Sequence, residues 1–389
     1  MTYRVAIVGA GPSGFYAADG LLRAISADGP DLHIDIIDRL PTPFGLVRAG
    51  VAPDHQGTKA VVRQFDKILA HEAVRFCGNV DVGRDVGWDE MREHYDAVIV
   101  ATGRTIDRKL GVAGEELPHV WGSFRFVAWL NGHPDFRQGP DLTNVRRVAV
   151  IGNGNVALDV ARLLAKSADE MAKSDIVPEA GAALAAAPLA DIHVIGRRGP
   201  EHASFTNNEL AEMGRLARAV AVADAMALNV TPPASDPTPE RLRKARNLEI
   251  LRGFAANTPG CKPVTVRFEF NRPMTAIELG EFDLVITCIG YDGEPYPTGD
   301  GMFAVGWARR GPNCTIPTNR ADSHAVARQV IAWLKERDPR SGTDIIPACV
   351  DATGWHRIDK AEVAAGAASG RPRIKLIERD RLLAVAQGD

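Results

Sequence analysis

The chain has 389 residues, of which 24% are charged and 45% are hydrophobic, and its formal net charge is −3. This length allows two or three domains with sizeable cores, and the composition excludes a disordered or fibrous protein. The small net charge gives no global attraction to nucleic acid or to an anionic membrane, so a partner steered by charge needs a local patch.

An apolar run at residues 5–8 leads directly into a G-x-G-x-x-G turn formed by Gly9, Gly11 and Gly14. This pattern predicts a strand that turns into a helix, where glycines allow a pyrophosphate close to the backbone and free helix N–H groups bind its charge. A second apolar run ends in Asp38, a carboxylate placed to accept a bond from a ribose hydroxyl. Together the two features favour an adenine-dinucleotide site over an ordinary βαβ turn.

The next segment, residues 41–55, is rich in proline and glycine but also apolar, which predicts a buried irregular loop. For this segment, a role in covering the cofactor is favoured over the alternative of an irregular crossover that only packs on the core. Residues 59–71 have helical periodicity, and residues 96–103 predict a buried strand that ends the first nucleotide-binding region. Residues 111–139 are interpreted as a connector packed between domains, with a helix expected at 122–130.

The pattern then repeats, because a strand at residues 147–151 enters a G-x-G-x-x-A turn that contains Gly152 and Gly154. The next strand ends in Arg197 and Arg198, where an NAD site is expected to have an acid. Two guanidinium groups favour the 2′-phosphate of NADPH, although surface charges at a strand end are the alternative. Residues 283–290 repeat the closing strand of the first region.

Two later segments, residues 174–190 and 232–239, contain prolines and are predicted to be loops. Residues 240–248 follow as a short basic helix.

The end of the chain returns to the first domain, with a strand expected at residues 299–306 and a helix at 325–336 that packs on the first glycine turn. The predicted fold class is α/β, with two Rossmann-like three-layer dinucleotide-binding domains. The first is discontinuous, comprising residues 1–105 and 300–389, and residues 106–299 form the second together with the connector.

The cysteines are scattered without a C-x-x-C spacing, at Cys77, Cys261, Cys288, Cys314 and Cys349. This spacing argues against a disulfide framework, a zinc site and a dithiol redox centre, and no constellation indicates a metal. The first strand begins close to the N-terminus, and no apolar run approaches membrane-spanning length. We therefore expect reduced thiols and a cytoplasmic location.

Three segments have distinctive sequences: PTPFGLVRAGVAPDH at 41–55, VIGNGNVALDVAR at 150–162 and GRRGP at 196–200. With NGHPD at 131–135 and TGWHRID at 353–359, they resemble the adrenodoxin reductase family of ferredoxin-NADP reductases over nearly the whole chain. The resemblance implies FAD in the first site and NADPH in the second. It also implies hydride transfer from NADPH to FAD, followed by single-electron transfer to a ferredoxin-type iron–sulfur protein.

The fingerprints and the resemblance together give a set of candidate cofactor-binding residues. In the first domain these are Gly9, Gly11, Pro12, Ser13, Gly14, Asp38, Gly45, Leu46, Lys59, Val82, Ala101, Thr102, Gly103, Trp307, Cys314, Thr315 and Ile316. In the second domain they are Gly152, Asn153, Gly154, Asn155, Val156, Arg197, Arg198 and Glu209. Asp38 stands where the family uses glutamate, which is longer but chemically equivalent.

The resemblance also implies catalytic and docking residues. His55 and Glu209 match a pair near the nicotinamide that handles protons; the alternatives are a loop histidine satisfied by the backbone and a glutamate that only caps or orients. The basic helix matches a surface that docks an acidic iron–sulfur protein, and a solvated helix face is the alternative. Its candidate docking residues are Arg241, Arg243, Lys244 and Arg246.

The chain departs from the family pattern at Cys314 and Pro317, where glycines are expected beside the flavin. A Cβ or a missing N–H there can obstruct access of the nicotinamide. The second domain is also shortened at residues 274–281, and residues 291–302 are abbreviated. These departures keep two alternatives open: a flavoprotein that uses NADPH with another acceptor, such as a quinone or a partner oxidoreductase, and a flavin-bearing subunit without catalytic activity.

Overall fold

The computed structural model describes residues 2–25, 30–273, 275–312, 316–340 and 342–389, with only the backbone described at 276–277 and 316–317. The strands are β1 Tyr3–Val8, β2 Leu32–Asp38, β3 Val74–Gly78, β4 Ala97–Val100, β5 Ile106–Asp107, β6 Val120–Gly122, β7 Arg147–Ile151, β8 Asp191–Ile195, β9 Ala219–Ala223, β10 Val264–Glu269, β11 Leu284–Thr287, β12 Tyr291–Asp292 and β13 Met302–Ala304.

The helices alternate with the strands. They are α1 Pro12–Ile25, α2 Leu46–Ala49, α3 Gln56–Lys59, α4 Val62–Leu69, α5 Trp88–His94, α6 Ser123–Leu130, α7 Asn155–Ala165, α8 Ala168–Met171, α9 Pro178–Ala186, α10 Asn207–Glu212, α11 Thr238–Ala255, α12 Ala276–Leu279, α13 Gly306–Arg310, α14 Ile316–Lys335, α15 Ala352–Ala367 and α16 Arg379–Gln387. Among the described helices, none has the length and apolar content needed to traverse a bilayer.

The chain forms two compact units. The first unit comprises Met1–Val51, His55–Ile106 and Tyr291–Asp389, and the second comprises Ala52–Asp54 and Asp107–Gly290. The sequence placed the return to the first domain at residue 300. The structure assigns residues from Tyr291 onward to the first unit, where the Tyr291 ring stacks on Trp307 with centroids 6.0 Å apart.

A five-stranded sheet in the order β13-β4-β1-β2-β3 is the centre of the first unit, and every described pairing in it is parallel. Parallel strands are covered on both faces, and the side chains of β1 show this directly. Val5 and Ile7 belong to the core that includes α1 and α14, whereas Ala6 and Val8 belong to the core on the opposite face. The expected helix near the C-terminus is present as α14, and it packs on α1, where Asp19 bonds to His324 at 2.8 Å.

The second unit contains a six-stranded parallel sheet in the order β6-β11-β7-β8-β10-β9. Its central strands are almost completely buried, as the apolar runs predict. The segment interpreted as a connector supplies the edge strand β6, which pairs with β11 through Val120 and Val285. Residues 120–122 of this segment thus belong to the sheet of the second unit, because their backbone forms its edge.

One local prediction is wrong. The segment 174–190 was expected to be a loop, yet it contains α9, because Pro178 occupies the first turn of the helix, where its missing N–H costs nothing, and alanines follow. The helical periodicity at 59–71 is confirmed by α4, which follows α3 after a turn at Ala60 and Val61.

Residues from the end of the chain are fixed to the first unit by a buried ion pair. Glu362 on α15 has no exposed surface, and its two oxygens accept bonds from the Arg48 guanidinium at 2.8 and 2.5 Å. The backbone N–H of Leu376 donates a further bond to it at 2.9 Å. A carboxylate this deeply buried is stable only with such partners, so α15 is tied to the loop that contains Arg48.

A second buried carboxylate, Asp35, lies in the middle of β2. It accepts bonds from Arg75 Nε and from the Tyr95 hydroxyl, each at 2.6 Å, and its Oδ1 lies 3.0 Å from His33 Nε2. Burial favours the neutral acid, but the bonds from His33, Arg75 and Tyr95 together outweigh it and hold the pKa of Asp35 well below its usual range. This carboxylate therefore joins β2 to β3 and to the Tyr95 side chain, which lies just before β4.

We expect Asp35→Asn to lower the free energy of unfolding by about 3 kcal/mol at neutral pH, because it leaves Arg75 without its buried partner. Since the pKa of Asp35 is depressed in the folded state, its contribution is complete above the unfolded-state value of about 4 and is lost as the pH falls further. Urea unfolding should therefore show the difference between wild type and variant shrinking below about pH 4.

Asp85→Asn is the matched control, because Asp85 pairs with Arg84 at the surface and should contribute less than about 1 kcal/mol. An Asp35→Asn effect as small as that of the control, or one that does not shrink in acid, would contradict the role of this carboxylate.

Candidate functional site

The first glycine turn connects β1 to α1 at the carboxyl end of the first sheet. Gly9 has φ +114°, and a Cβ on it would lie 2.4 Å from the Ala101 carbonyl oxygen. A Cβ on Gly14 would lie 2.1 Å from the Gly9 oxygen, whereas no described atom lies within 4 Å of a Cβ position on Gly11. The turn is therefore closed toward the protein and open at Gly11, as a turn that binds pyrophosphate requires.

Asp38 lies at the end of β2 beside this turn. Its two oxygens accept bonds from the backbone N–H groups of Ala10, at 2.8 Å, and Leu40, at 2.9 Å. Burial raises the pKa of Asp38, although both N–H bonds oppose this effect. The half-buried carboxylate is thus fixed in orientation at the position where the sequence placed a ribose ligand.

The irregular loop at residues 41–55 packs against the same turn. The Phe44 N–H donates to the Ala10 carbonyl at 2.7 Å, and a Cβ on Gly45 would lie 2.9 Å from the Gly11 Cα. Leu46 is the first residue of α2, and Lys59, at the end of α3, is buried. His55 precedes α3 and is half-buried. The expectation of a buried loop is therefore confirmed.

The segment around α13 lies on the other side of the turn. A Cβ on Gly306, which has φ +61°, would lie 1.9 Å from Ser13 Oγ, so the two backbones approach closely. The Trp307 carbonyl accepts a bond from Arg104 Nε at 2.9 Å. The Trp307 indole N–H is buried but donates to no described residue, and it is therefore available to a bound group.

The remaining first-domain candidates differ in position. Ala101 is buried at the end of β4, Thr102 is exposed, and Gly103 has φ +72° with open space around its Cβ position. Val82 is half-buried and forms an isolated bridge with Val86. Three candidates remain: Cys314 and Thr315 lie outside the described residues, and Ile316, whose backbone alone is described, is the first residue of α14.

The second glycine turn repeats the geometry of the first between β7 and α7. A Cβ on Gly152, which has φ +150°, would lie 2.4 Å from the Cys288 carbonyl oxygen at the end of β11. Gly154 is the N-cap residue of α7, and Val156 lies in the first turn of this helix. The amide oxygen of Asn153 is buried without a hydrogen bond to any residue of the described chain. This turn therefore also contains a polar atom that the described residues leave without a hydrogen bond.

Arg197 and Arg198 follow β8 next to the second turn. A Cβ on Gly196 would overlap the Asn153 amide, which shows how closely the end of β8 approaches the second glycine turn. Both arginines are exposed, and neither guanidinium has a hydrogen bond or ion pair with a described residue. Nearby, the Asn155 side-chain oxygen accepts a bond from the Thr206 N–H at 2.8 Å. Two unpaired guanidinium groups thus lie at the strand end where a 2′-phosphate is expected.

A buried arginine that the sequence analysis did not single out organises the second unit. Arg162 on α7 is fully buried and binds Asp54 with two bonds, at 2.8 and 3.0 Å. It also approaches Asp159 at 2.8 Å and Glu209 at 3.3 Å. Burial opposes ionisation of Asp54, but the bonds and charges of Arg162 and Lys166 hold the pKa of Asp54 well below its usual range. The candidate Glu209 is therefore anchored by a cation.

The two parallel sheets, each with a glycine turn opening at its carboxyl edge, define an oxidoreductase class with two dinucleotide-binding domains. Residues 3–197 match the model of the pyridine nucleotide-disulphide oxidoreductase family, and the chain belongs to this family. The predicted fold class is thereby confirmed.

Individual relatives cover the whole chain. An NADPH-ferredoxin reductase of Mycobacterium tuberculosis, FprA, is 35% identical over 463 aligned positions that cover 99% of both chains. The mitochondrial NADPH:adrenodoxin oxidoreductase of Arabidopsis thaliana is 32% identical, covering 98% of this chain and 95% of the relative. The structure of M. tuberculosis FprA in complex with NADPH superposes with a TM-score of 0.90, at 34% identity and with full coverage of both chains.

The resemblance to adrenodoxin reductase-like ferredoxin-NADP reductases is therefore confirmed. The alignment to FprA spans 463 positions, whereas this chain has 389 residues, so the relative has stretches without a counterpart here. This difference agrees with the shortened segments that the sequence analysis identified.

We expect Arg162→Met to lower the free energy of unfolding by about 3 kcal/mol, because it removes the two bonds from the buried guanidinium to Asp54 and leaves this carboxylate with Lys166 as its remaining described cation. Chemical denaturation at neutral pH measures this effect. Arg246→Ala is the control, since Arg246 forms an exposed pair with Glu249 and should contribute less than about 1 kcal/mol. Equal effects of the two substitutions would show that the Arg162 cluster does not stabilise the unit.

Proposed function

We propose that the protein is an FAD-dependent NADPH-ferredoxin reductase, with FAD in the first unit and NADPH in the second. The chemistry that bound flavin supplies is acceptance of a hydride from NADPH and release of electrons one at a time. The observation that carries the proposal is the pair of glycine turns with different charges beside them. Asp38 accompanies the first turn, and Arg197 and Arg198 accompany the second.

In the first unit, the turn from Gly9 to Gly14 would hold the pyrophosphate and Asp38 the ribose. The close approach of Gly45 and Gly306 to this turn leaves no space for larger side chains, which fits a cofactor enclosed by backbone. The buried indole N–H of Trp307 adds a donor that the described protein leaves unused.

In the second unit, the N-terminus of α7 would bind the pyrophosphate of NADPH. Arg197 and Arg198 would bind the 2′-phosphate through charge-assisted bonds, and their lack of described protein partners supports this role. Asn153 and Asn155 would contribute amide groups beside the same turn.

His55 and Glu209 are proposed to hold or transfer a proton near the nicotinamide. Their support comes from the family motif and, for Glu209, from its contact with Arg162, which fixes the carboxylate. A fixed carboxylate is also what a purely orienting residue requires, so a pH profile of Glu209→Gln separates the two roles. Loss of an ionisation from the profile supports proton handling, and a uniform decrease in rate contradicts it.

The proposed partner is an acidic ferredoxin-type protein, and we propose fewer docking residues for it than the sequence analysis gave. Lys244 is buried and paired with Asp236 at 2.8 Å, and the half-buried Arg243 guanidinium donates to the Phe205 carbonyl. These contacts favour a structural role for both side chains. Arg241 and Arg246 are exposed, and they remain the docking candidates on α11.

We propose a cytoplasmic location, on the grounds of the cysteine spacing and the apolar runs described in the sequence analysis.

Anaerobic mixing with NADPH tests the proposed reaction, and we expect it to bleach the flavin absorbance of the purified protein much faster than NADH does. Replacing Arg197 and Arg198 together by alanine should raise the KM for NADPH about 10–100-fold and leave that for NADH nearly unchanged, because only NADPH has the 2′-phosphate.

A protein that cannot take up FAD, or whose flavin NADPH does not reduce, contradicts the proposed function. A preference for NADPH that survives the double replacement contradicts the phosphate assignment. Reduction of quinones but of no ferredoxin would identify a different acceptor.

The docking surface can be tested with the double variant Arg241→Glu, Arg246→Glu. We expect this variant to associate more slowly with an acidic ferredoxin, and its association rate to depend less on salt, because the long-range attraction is reduced. Stopped-flow kinetics over a range of ionic strength measures both effects. Lys173→Glu with Arg215→Glu gives the same change in net charge at exposed positions elsewhere on the second unit. If both double variants slow association equally, the effect is one of net charge and not of this surface.

A further inference from the structure

Two cysteines that are far apart in the sequence meet at the end of β3. Gly78 and Val350 form an isolated antiparallel bridge with both backbone bonds, at 2.8 and 2.9 Å. Cys77 and Cys349 precede these residues directly, so the antiparallel bridge places them diagonally across the two strands on the same face. Both side chains pack in one apolar cluster, and each thiol affects the ionisation of the other. The sequence spacing argued against a dithiol, but the fold brings these two free thiols together.

The two thiols have different surroundings. Cys77 is fully buried in an apolar cluster, whereas Cys349 is half-exposed at its margin. The bond from Cys77 and the positive charge of Arg75 lower the pKa of Cys349, against the effect of its burial. The same bond, together with burial, raises the pKa of Cys77. Cys349 is therefore the thiol that ionises first and meets a solvent-borne oxidant, since the thiolate is the nucleophile.

We propose that Cys77 and Cys349 form a peroxide-sensitive dithiol that closes to a reversible disulfide. The Cys349 thiolate attacks the O–O bond of hydrogen peroxide, takes one oxygen to become a sulfenic acid and releases hydroxide, which is protonated to water. The Cys77 sulfur then attacks the Cys349 sulfur, the S–S bond forms as the S–O bond breaks, and the sulfenic OH leaves as water with the proton that Cys77 loses. The two thiols lose two electrons and two protons, and a dithiol reductant reverses the change.

The disulfide would fasten the C-terminal segment to the edge of the first sheet. Gly78 pairs in register with Asp38, and Asp351 caps α15 by accepting the Gly354 N–H at 2.7 Å. A covalent bond next to the Gly78–Val350 bridge would therefore restrict separation of α15 from the strand beside Asp38. We expect oxidation to slow the release of FAD, and this expectation rests on the proposed function. Formation of the disulfide itself does not rest on it.

The test is treatment of the purified full-length protein with one equivalent of hydrogen peroxide, followed by alkylation and non-reducing peptide mass spectrometry. We expect a peptide that links Cys77 to Cys349 and has lost two hydrogens, and we expect a dithiol reductant to restore both thiols. Cys349→Ser should abolish the link. Cys77→Ala should leave a sulfenic acid at Cys349 that a carbon nucleophile traps.

Cys261→Ser is the matched control, because Cys261 is exposed and lies away from the pair in the sequence, so its loss should leave the link unchanged. Hydrogen exchange of the Gly78 and Val350 amides should slow by about tenfold or more in the oxidised wild type. Circular dichroism of the variants shows whether they fold.

Absence of the link in folded wild-type protein overturns the proposal. So does oxidation that appears only at Cys261, or unchanged amide exchange after the link has formed. Because mass spectrometry detects the link without reference to bound flavin, failure of this proposal is distinguishable from failure of the proposed reductase activity.

Discussion

The close passage of two backbones at the carboxyl edge of each sheet is the constraint on which this molecule depends. In both units, a residue at the first glycine of the turn would place its Cβ 2.4 Å from a carbonyl oxygen of the neighbouring strand, Ala101 in one case and Cys288 in the other. Only glycine permits this approach, and the approach brings the following helix N-terminus to the open edge. The same backbone arrangement occurs in both units. The difference between the two sites therefore arises from side chains at the end of the strand that follows each turn, β2 in the first unit and β8 in the second.

Those features were predictable because their signals are local. A buried parallel strand followed by a glycine turn and a helix occupies a short, continuous piece of sequence, and each part has its own residue pattern. Asp38, Arg197 and Arg198 were found because they directly follow a recognisable strand. The helix α9 was missed because a proline inside a helix disrupts it, whereas a proline in the first turn, such as Pro178, is favourable.

The interactions that escaped prediction are those whose partners are distant in the sequence. Nothing near Arg162 indicates that it binds Asp54, and nothing near Cys77 indicates Cys349. Charge counting has the same weakness on α11, where Lys244 adds to the basic character of the sequence but is buried against an acid. Composition shows which charges exist, and only packing shows which of them reach solvent.

The buried pair between Arg48 and Glu362 also has a consequence for the order in which the protein matures. The second unit is almost continuous in sequence, so its residues have been synthesised before the last segment of the first unit, Tyr291–Asp389, which is about half of that unit. Domains that are complete on the ribosome fold early. Arg48 must wait for α15, and Asp38 and the first glycine turn must wait for the covering segments at the C-terminus. During synthesis, the nucleotide unit made in the middle of the chain is thus finished first, and the unit that begins the chain is finished last.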